Sequence, residues 1–280
     1  MGRMDFRERV VLGRTGLSVS RLGLGSSYGV GADALERAYG EYGINYFYWG
    51  SVRRPSFGEG IRRLAARHRD DLVVVIQTYS RFTAWVPRSL ERALGALALD
   101  RADLFLLGMF NRPPKPAIMD VVRKLKDDGK VRFLAVSCHR RSTFAQYVRE
   151  GVFDVVMFRY SAAHRGAEAE VLPLLTWDSR PGTVAYTATR WGQLLDPSRM
   201  PPGEQPPRAS DCYRYVLSQP QIDVCLTGSK DDEQLREALS ALDRGPMGPE
   251  EIAWMRGIGD HVHRQPASRN PLRRMMQAGS

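Results

Sequence analysis

Side chains suited to nucleophilic or metal chemistry are few in this sequence. The chain has five histidines and three cysteines, and Cys138 and His139 form its only neighbouring Cys–His pair. Such a pair can supply a nucleophile or metal ligands, but adjacent side chains on an extended segment point apart. The cysteines lack CxxC spacing, so we expect a reduced protein with neither a disulfide framework nor a zinc site.

Two tyrosines lie where apolar, strand-like runs end, and an arginine follows the first of them in the chain. Tyr48 ends the run INYFY, Tyr79 follows LVVVIQT, and Arg53 comes five residues after Tyr48. A phenol donates its proton poorly at neutral pH unless a neighbour lowers its pKa from about 10. Arg53 keeps its proton and is suited to bind an anion or an oxyanion. These residues are candidate catalytic groups, and the alternative is that Tyr48 and Tyr79 only fill space as aromatic core.

Apolar runs that predict strands alternate with amphipathic segments that predict helices. The strands are expected at 22–26, 44–48, 72–78, 104–107, 131–137, 154–159, 183–187 and 224–228, and the helices at 33–42, 57–68, 87–99, 118–129, 143–150, 168–175 and 231–242. This alternation predicts a parallel sheet of the α/β class. Eight units in about 230 residues predict a closed TIM-type (β/α)8 barrel. An open dinucleotide-binding sheet would need GxGxxG after the first strand, and Gly23, Gly25 and Gly29 have the wrong spacing.

Further elements flank the predicted barrel. The glycines in VVLGRTGLSVS predict an N-terminal β-hairpin with a tight turn, and residues 249–261 predict an extra C-terminal helix. The proline-rich stretch from Leu195 to Ser210 predicts a long loop, either a lid over the C-terminal ends of the strands or a surface loop. We expect residues 1–280 to form a single domain, with a flexible tail from about residue 265.

The composition predicts a cytoplasmic globular protein. Hydrophobic residues make up 43% and charged residues 26% of the chain. No apolar run reaches the roughly 20 residues of a membrane span, and the first residues lack the apolar core of a secretory signal. The formal charge of +10 suits an arginine-rich solvated surface or the attraction of a nucleotide phosphate. Nucleic-acid binding is the least expected function because no nucleic-acid module is recognisable.

Five segments resemble the aldo-keto reductase superfamily, in the order in which that family has them. They are LGRTGLSVSRLGLGS, GINYF, GKVRFLAVS, FDVVMFRYSAAHRGAEAEVLP and LTGSKDDEQLREAL, and they extend from about Val10 to Leu242. The resemblance implies a barrel that uses NADP(H) to reduce carbonyl groups. It also implies that the family's catalytic tetrad of Asp, Tyr, Lys and His is missing, because the matching positions hold Tyr48, Arg53, Tyr79 and Gly108.

The resemblance implies cofactor contacts at both ends of NADP(H). At the nicotinamide end Ser137 is kept and Tyr186 matches a tyrosine that stacks on the ring, whereas Cys138 and Met157 replace amide-bearing residues. The residues that match at the adenine and phosphate end are Gly228, Ser229, Lys230, Gln234 and Glu237. Since a helix start and a lysine favour a 2′-phosphate, the phosphate half is expected to be usable and the nicotinamide half weakened.

Two hypotheses for function follow from these residues. In the first, the protein is an atypical NADP(H)-binding oxidoreductase whose pocket is built from Tyr48, Trp49, Arg53, Tyr79 and Tyr186. Its substrate would be a small molecule, anionic or aromatic, held by Arg53. In the second, the protein is a catalytically silent barrel that binds a ligand or serves as a scaffold.

Overall fold

Eight parallel strands close into a barrel in the computed structural model, which describes residues 5–50, 54–175 and 179–265. The strands are β1 (Val10–Val11), β2 (Ser18–Val19), β3 (Leu22–Gly25), β4 (Tyr46–Trp49), β5 (Val73–Thr78), β6 (Ala102–Leu107), β7 (Val131–Ser137), β8 (Val155–Arg159), β9 (Gly182–Tyr186) and β10 (Val224–Thr227). Each strand from β3 to β10 pairs with the next, and β10 pairs with β3. The predicted TIM-type barrel is therefore confirmed.

Helices connect the strands and cover the barrel. They are α1 (Ala32–Tyr42), α2 (Pro55–His68), α3 (Trp85–Leu97), α4 (Pro116–Asp127), α5 (Arg141–Glu150), α6 (Ala167–Glu170), α7 (Ala209–Leu217), α8 (Asp232–Arg244) and α9 (Pro249–Arg264). The helix predicted at 168–175 is shorter than expected, because α6 ends at Glu170 and a 3-10 turn at Leu172–Leu174 follows. Pro173 in that turn lacks the N–H that a continuing helix would require.

Side chains alternate between the barrel interior and the layer under the helices. On β4, Tyr46 and Tyr48 belong to the interior cluster, whereas Phe47 and Trp49 pack in the layer between strands and helices. Strand β5 follows the same pattern, with Val75 in the interior. Both layers are apolar, which is expected for a parallel sheet buried on its two faces.

Aspartates at the N-terminal ends of three strands connect neighbouring strands. Asp103, Asp154 and Asp223 each accept a backbone N–H at 2.9 Å from the strand beside them. The donors are Val74, Leu134 and Thr183, respectively. Each carboxylate is also paired with a cation: Asp103 with Arg69 and Arg132, Asp154 with Lys126, and Asp223 with Arg180. Because each aspartate bonds one particular amide, these contacts fix the register of the barrel.

The predicted hairpin is formed by β1 and β2, and it closes the N-terminal end of the barrel. Leu12, Leu17 and Val19 are buried in the same cluster as the interior side chains. Gly13 has a φ of +45°, and a Cβ there would lie 2.2 Å from the backbone nitrogen of Gly182, at the start of β9. A side chain is therefore excluded from this contact.

The loops after β8 and β9 are held against α9. Arg165 forms an ion pair with Asp260 at 2.5 Å, and Arg190 donates to the carbonyl of Val262 at 2.6 Å. The proline-rich stretch from residue 195 to 210 also contacts α9, since the indole of Trp254 donates to Glu204 at 3.2 Å. None of the helices in the described ranges is long and apolar enough to cross a membrane. The expected tail beyond residue 265 lies outside the described residues.

Candidate active site at the barrel mouth

The C-terminal end of the barrel, which we call the barrel mouth, is lined by the last inward residues of the strands. Side chains of a strand alternate with period two, so Gln77 lies on the same side as the interior Val75, and Arg159 on the same side as the interior Met157. Ser137 and Tyr186 occupy the same level on β7 and β9. The mouth is thus far more polar than the barrel interior beneath it.

On one side of the mouth, two phenols and an amide lie together. The hydroxyl of Tyr48 donates to Oε1 of Gln77, and Tyr79 is a close neighbour of Tyr48. The pKa of Tyr48 is raised well above its ordinary value, chiefly by burial and then by the nearby Tyr79. Tyr48 therefore holds its proton tightly and is a poor acid in this arrangement.

Tyr79 fills the space above the end of β6. A Cβ on Gly108 would lie 2.6 Å from Cε1 of the Tyr79 ring. The two residues therefore share one volume at the mouth, although Tyr79 itself is 56% exposed. The structure brings together Tyr48 and Tyr79, two of the three predicted catalytic residues. Arg53, the third, lies outside the described residues.

Arg159 lies on the opposite side of the mouth among aromatic rings. Its Nη2 is 3.2 Å from both Nδ1 and Nε2 of His139. Its Cζ is 5.0 Å from the centre of the Trp191 ring, and Arg159 pairs in register with Tyr186 of β9. Burial raises the pKa of Tyr186, and the positive charge of Arg159 opposes that rise.

The segment after β7 separates Ser137, Cys138 and His139. Ser137 Oγ accepts the backbone N–H of Met109 at 3.0 Å. Cys138 is buried away from the mouth, donates to the carbonyl of Arg140 at 3.1 Å and has a pKa raised by burial. A thiol of this kind is a weak nucleophile. Among the described residues no group of three His, Cys, Asp or Glu side chains is placed to hold a metal.

Trp49 does not line the mouth, contrary to the predicted pocket. It is 3% exposed and packs against Phe57 of α2 with ring centres 6.3 Å apart. The physical reason is the alternation along β4, because Tyr48 points inward and its neighbour must then point outward.

The segment from β10 to α8 holds the residues predicted to bind the adenine and phosphate end. The carboxylate of Asp231 accepts the N–H of Gln234 at 2.9 Å, and Gln234 Oε1 accepts the N–H of Lys230 at 3.1 Å. The side chains of this turn therefore satisfy its own amides. Lys230 is exposed, whereas Ser229 is buried.

Two other residues of this segment contact neighbouring elements. Glu237 accepts the hydroxyl of Ser210 at 2.8 Å and so braces the start of α7. Gly228 lies beneath Tyr28, since a Cβ there would be 2.5 Å from Cδ2 of that ring. The predicted roles of Gly228, Ser229, Lys230, Gln234 and Glu237 in cofactor binding remain predictions.

Arg159 and Gln77 belong to the mouth but were not predicted as site residues. The signal for Arg159 was its position, because it continues the inward series Val155 and Met157 at the end of an apolar strand. A charged residue at an inward position is unusual in a barrel strand and marks the functional end.

Comparisons with known proteins agree with this architecture. The chain is 25% identical over 287 residues to the uncharacterized oxidoreductase YqkF of Bacillus subtilis, covering 86% of this chain and 93% of that one. It is 26% identical over 223 residues to L-galactose dehydrogenase of Arabidopsis thaliana, covering 70% and 69%. The holo form of the aldo-keto reductase AKR11C1 from Bacillus halodurans superposes with a TM-score of 0.75 at 18% identity, covering 92% and 99%. Residues 27–211 match the sequence profile of the Aldo/keto reductase family, and the chain belongs to that family.

Proposed function

We propose that this protein is an NADP(H)-binding oxidoreductase that acts on small molecules in the cytoplasm with a non-standard active site. The observation that carries the proposal is the placement of Tyr186 at the mouth, where it pairs in register with Arg159 of the neighbouring strand. The tyrosine ring offers a surface for a nicotinamide, and the guanidinium offers positive charge beside it. Cys138, Cys212 and Cys225 are free thiols, which suits a reducing compartment.

The proposed chemistry is hydride transfer to or from a carbonyl carbon. NADP(H), when bound, supplies or accepts the hydride. In reduction the carbonyl oxygen becomes an alkoxide that takes a proton from water, and in oxidation the alcohol gives its proton to water. A preorganised cation stabilises the negative charge that develops on this oxygen. Arg159 places positive charge at the mouth, whereas Tyr48 and Tyr79 carry none. In this proposal the tetrad is absent, and its positions are taken by Tyr48, Arg53, Tyr79 and Gly108.

The residues proposed to hold NADP(H) lie at two places on the barrel. Tyr186 and Ser137 would contact the nicotinamide end. Lys230, exposed before α8, would pair with the 2′-phosphate, and Gly228, Ser229, Gln234 and Glu237 would complete the adenine end. Gln234 would have to release the amide of Lys230, at 3.1 Å, to offer that N–H to a phosphate.

A catalytically silent, ligand-binding barrel is the second candidate. It is favoured by two hydrogen bonds within the segment before α8. Gln234 already accepts the backbone N–H of Lys230, and Asp231 already accepts the backbone N–H of Gln234. In addition, Tyr79 fills the volume beside Gly108. In this candidate the mouth binds a small molecule without reacting with it.

Titration of the purified full chain with NADPH and with NADH separates the two candidates. Nicotinamide fluorescence reports binding directly and requires no substrate. We expect NADPH to bind, and to bind more tightly than NADH, because the 2′-phosphate gains a contact with Lys230. If neither dinucleotide binds at millimolar concentration, the oxidoreductase proposal is wrong and the silent barrel replaces it.

A further inference from the structure

Among the strand residues that the structure describes, Arg159 is the cation at the inward level of the barrel mouth. Arg159 is the last residue of β8 and pairs in register with Tyr186 of β9. Because it extends the interior series of β8, its side chain is directed over the C-terminal end of the barrel interior. A strand residue is positioned more rigidly than a loop residue, so this guanidinium is a fixed feature of the site.

Aromatic rings lie close to the guanidinium of Arg159. Trp191 lies under it with Cζ 5.0 Å from the ring centre, and the imidazole nitrogens of His139 are 3.2 Å from Nη2. His139 and Tyr186 are themselves in ring contact, with centres 6.5 Å apart. An unprotonated imidazole nitrogen is an uncharged acceptor, and a carboxylate forms stronger, charge-assisted bonds with guanidinium. A carboxylate that enters the mouth can therefore take the place of His139 beside Nη2.

Apolar surface is available on the facing rim. Tyr79, Phe82, Trp85 and Met109 are each between 43% and 71% exposed, and all four lie on the segments that follow β5 and β6. They are connected, because Tyr79 packs over Gly108 and Arg81 donates to the carbonyl of Met109 at 2.8 Å. An apolar or aromatic body would be covered by this rim while a charged group reached Arg159.

We infer that the substrate of this barrel is a carbonyl compound bearing a carboxylate and an aromatic or apolar body, and that Arg159 anchors the carboxylate. This deepens the proposed oxidoreductase function and rests on it. The planar fork of guanidinium matches a carboxylate through two parallel N–H bonds, which an ammonium cannot provide. Arg159 is thus assigned as the residue that determines substrate class.

The inference is tested by binding, without cofactor or turnover. Benzoate and its neutral analogue benzamide are titrated into the full chain by isothermal titration calorimetry. We expect benzoate to bind about tenfold tighter or more, the usual gain from a charge-assisted contact. Arg159→Gln should remove that preference and Arg159→Lys should restore it only in part. Arg149→Gln, which removes an exposed arginine on the outer surface of α5, is the matched control and should leave it unchanged.

Several outcomes would overturn the inference. They are equal binding of benzoate and benzamide, no binding of benzoate at millimolar concentration, or an unchanged preference in Arg159→Gln. Inorganic phosphate that competes with benzoate at equal concentration would show a general anion site in place of a carboxylate site. Circular dichroism and thermal melting show whether each variant is folded, and the comparison of the two probes on the unmodified chain needs no variant.

The result of the benzoate and benzamide titration can be separated from the result of the NADPH and NADH titration. Benzoate preference without NADPH binding would keep the anion site and reject the redox function. NADPH binding without a preference for benzoate would support the redox function and reject the anion site.

Discussion

Asp223 receives two N–H groups from Arg180, at 2.6 Å on Oδ1 and 2.9 Å on Oδ2. The same carboxylate accepts the backbone N–H of Thr183 at 2.9 Å and is 3% exposed. One side chain therefore connects β10 to β9 and fixes the position of Arg180. A buried carboxylate with three N–H partners depends on every one of them, because an unpaired buried charge is costly.

Asp223→Ala should destabilise the barrel strongly. Removing the carboxylate leaves the largely buried guanidinium of Arg180 without its partner, which costs about 3–5 kcal/mol. Urea unfolding followed by circular dichroism measures the change in the free energy of unfolding. Asp120→Ala is the control, because Asp120 and Arg123 form an exposed pair on α4 worth no more than about 1 kcal/mol. Equal effects of the two substitutions would show that the Asp223 contacts do not stabilise the fold.

His164 should make stability depend on pH in a definite window. Burial lowers its pKa to about 4, whereas an unfolded histidine titrates near 6.5. Between these values the unfolded chain binds a proton that the folded chain does not, so the free energy of unfolding falls as pH falls from about 6.5 to about 4. The contribution is complete above that window and amounts to at most about 3 kcal/mol.

His164→Gln removes this titration and should flatten the pH dependence. Urea unfolding at pH 7 and at pH 4.5 gives the loss of stability for each protein. We expect a smaller loss in the variant than in the unmodified chain. Parallel profiles would mean that His164 titrates alike in the folded and unfolded chains.

Two glycines on the outer helices should respond oppositely to alanine. A Cβ on Gly58 of α2 would lie 2.6 Å from Cη2 of the buried Trp49, whereas Gly95 of α3 has nothing within 4 Å. Gly58→Ala should therefore destabilise the protein by about 1–3 kcal/mol through overpacking. Gly95→Ala should stabilise it by up to about 1 kcal/mol through helix propensity. Thermal or urea unfolding compares them directly, and a stabilising Gly58→Ala would place Trp49 elsewhere.

Lys230→Ala should weaken NADPH binding and leave NADH binding nearly unchanged. Only NADPH carries the 2′-phosphate, and a charge-assisted contact is worth roughly 1.5–3 kcal/mol, or about tenfold or more in affinity. Nicotinamide fluorescence titration measures both affinities. Arg236→Ala removes one positive charge from the exposed surface of α8 and is the matched control. An equal loss in both variants would indicate a general field effect and no contact by Lys230.

Ordinary aldehydes should be poor substrates. The phenols of Tyr48 and Tyr79 have no lysine beside them in the proposed site, and loss of general acid catalysis costs about 10²–10⁴-fold in rate. Oxidation of NADPH in the presence of 4-nitrobenzaldehyde, followed by absorbance, measures this. Rapid turnover would contradict the proposal that the tetrad is absent, because it requires an efficient proton donor.

The barrel could be predicted from the sequence because its signals are local. The run Val131–Ser137 was predicted with the bounds it has in the structure, since a continuous apolar strand between two helices is unambiguous. Helix α7 was missed because it begins at Ala209, inside the proline-rich stretch from Leu195 to Ser210 that was assigned to a loop, although its own sequence is amphipathic.

The candidate site was only partly predictable. Its assembly depends on the direction in which each side chain points as well as on the position of each residue along its strand. Tyr48 and Tyr186 were placed correctly at the mouth, since strand ends define it. Trp49 was assigned to the pocket from its proximity to Tyr48, and the alternation of side chains directs it outward. The meeting of Arg159 with His139 and Trp191 involves three separate segments, and no local pattern encodes a contact of that kind.

The shared volume of Gly108 and Tyr79 constrains the history of this site. A Cβ at position 108 would lie 2.6 Å from the tyrosine ring, so a histidine and Tyr79 in its present position are mutually exclusive. If these positions held the histidine and lysine of an ancestral tetrad, as we propose, a single reversion at 108 would meet a blocked space. A return to histidine at position 108 would therefore require the ring of Tyr79, which is 56% exposed, to turn away from the end of β6.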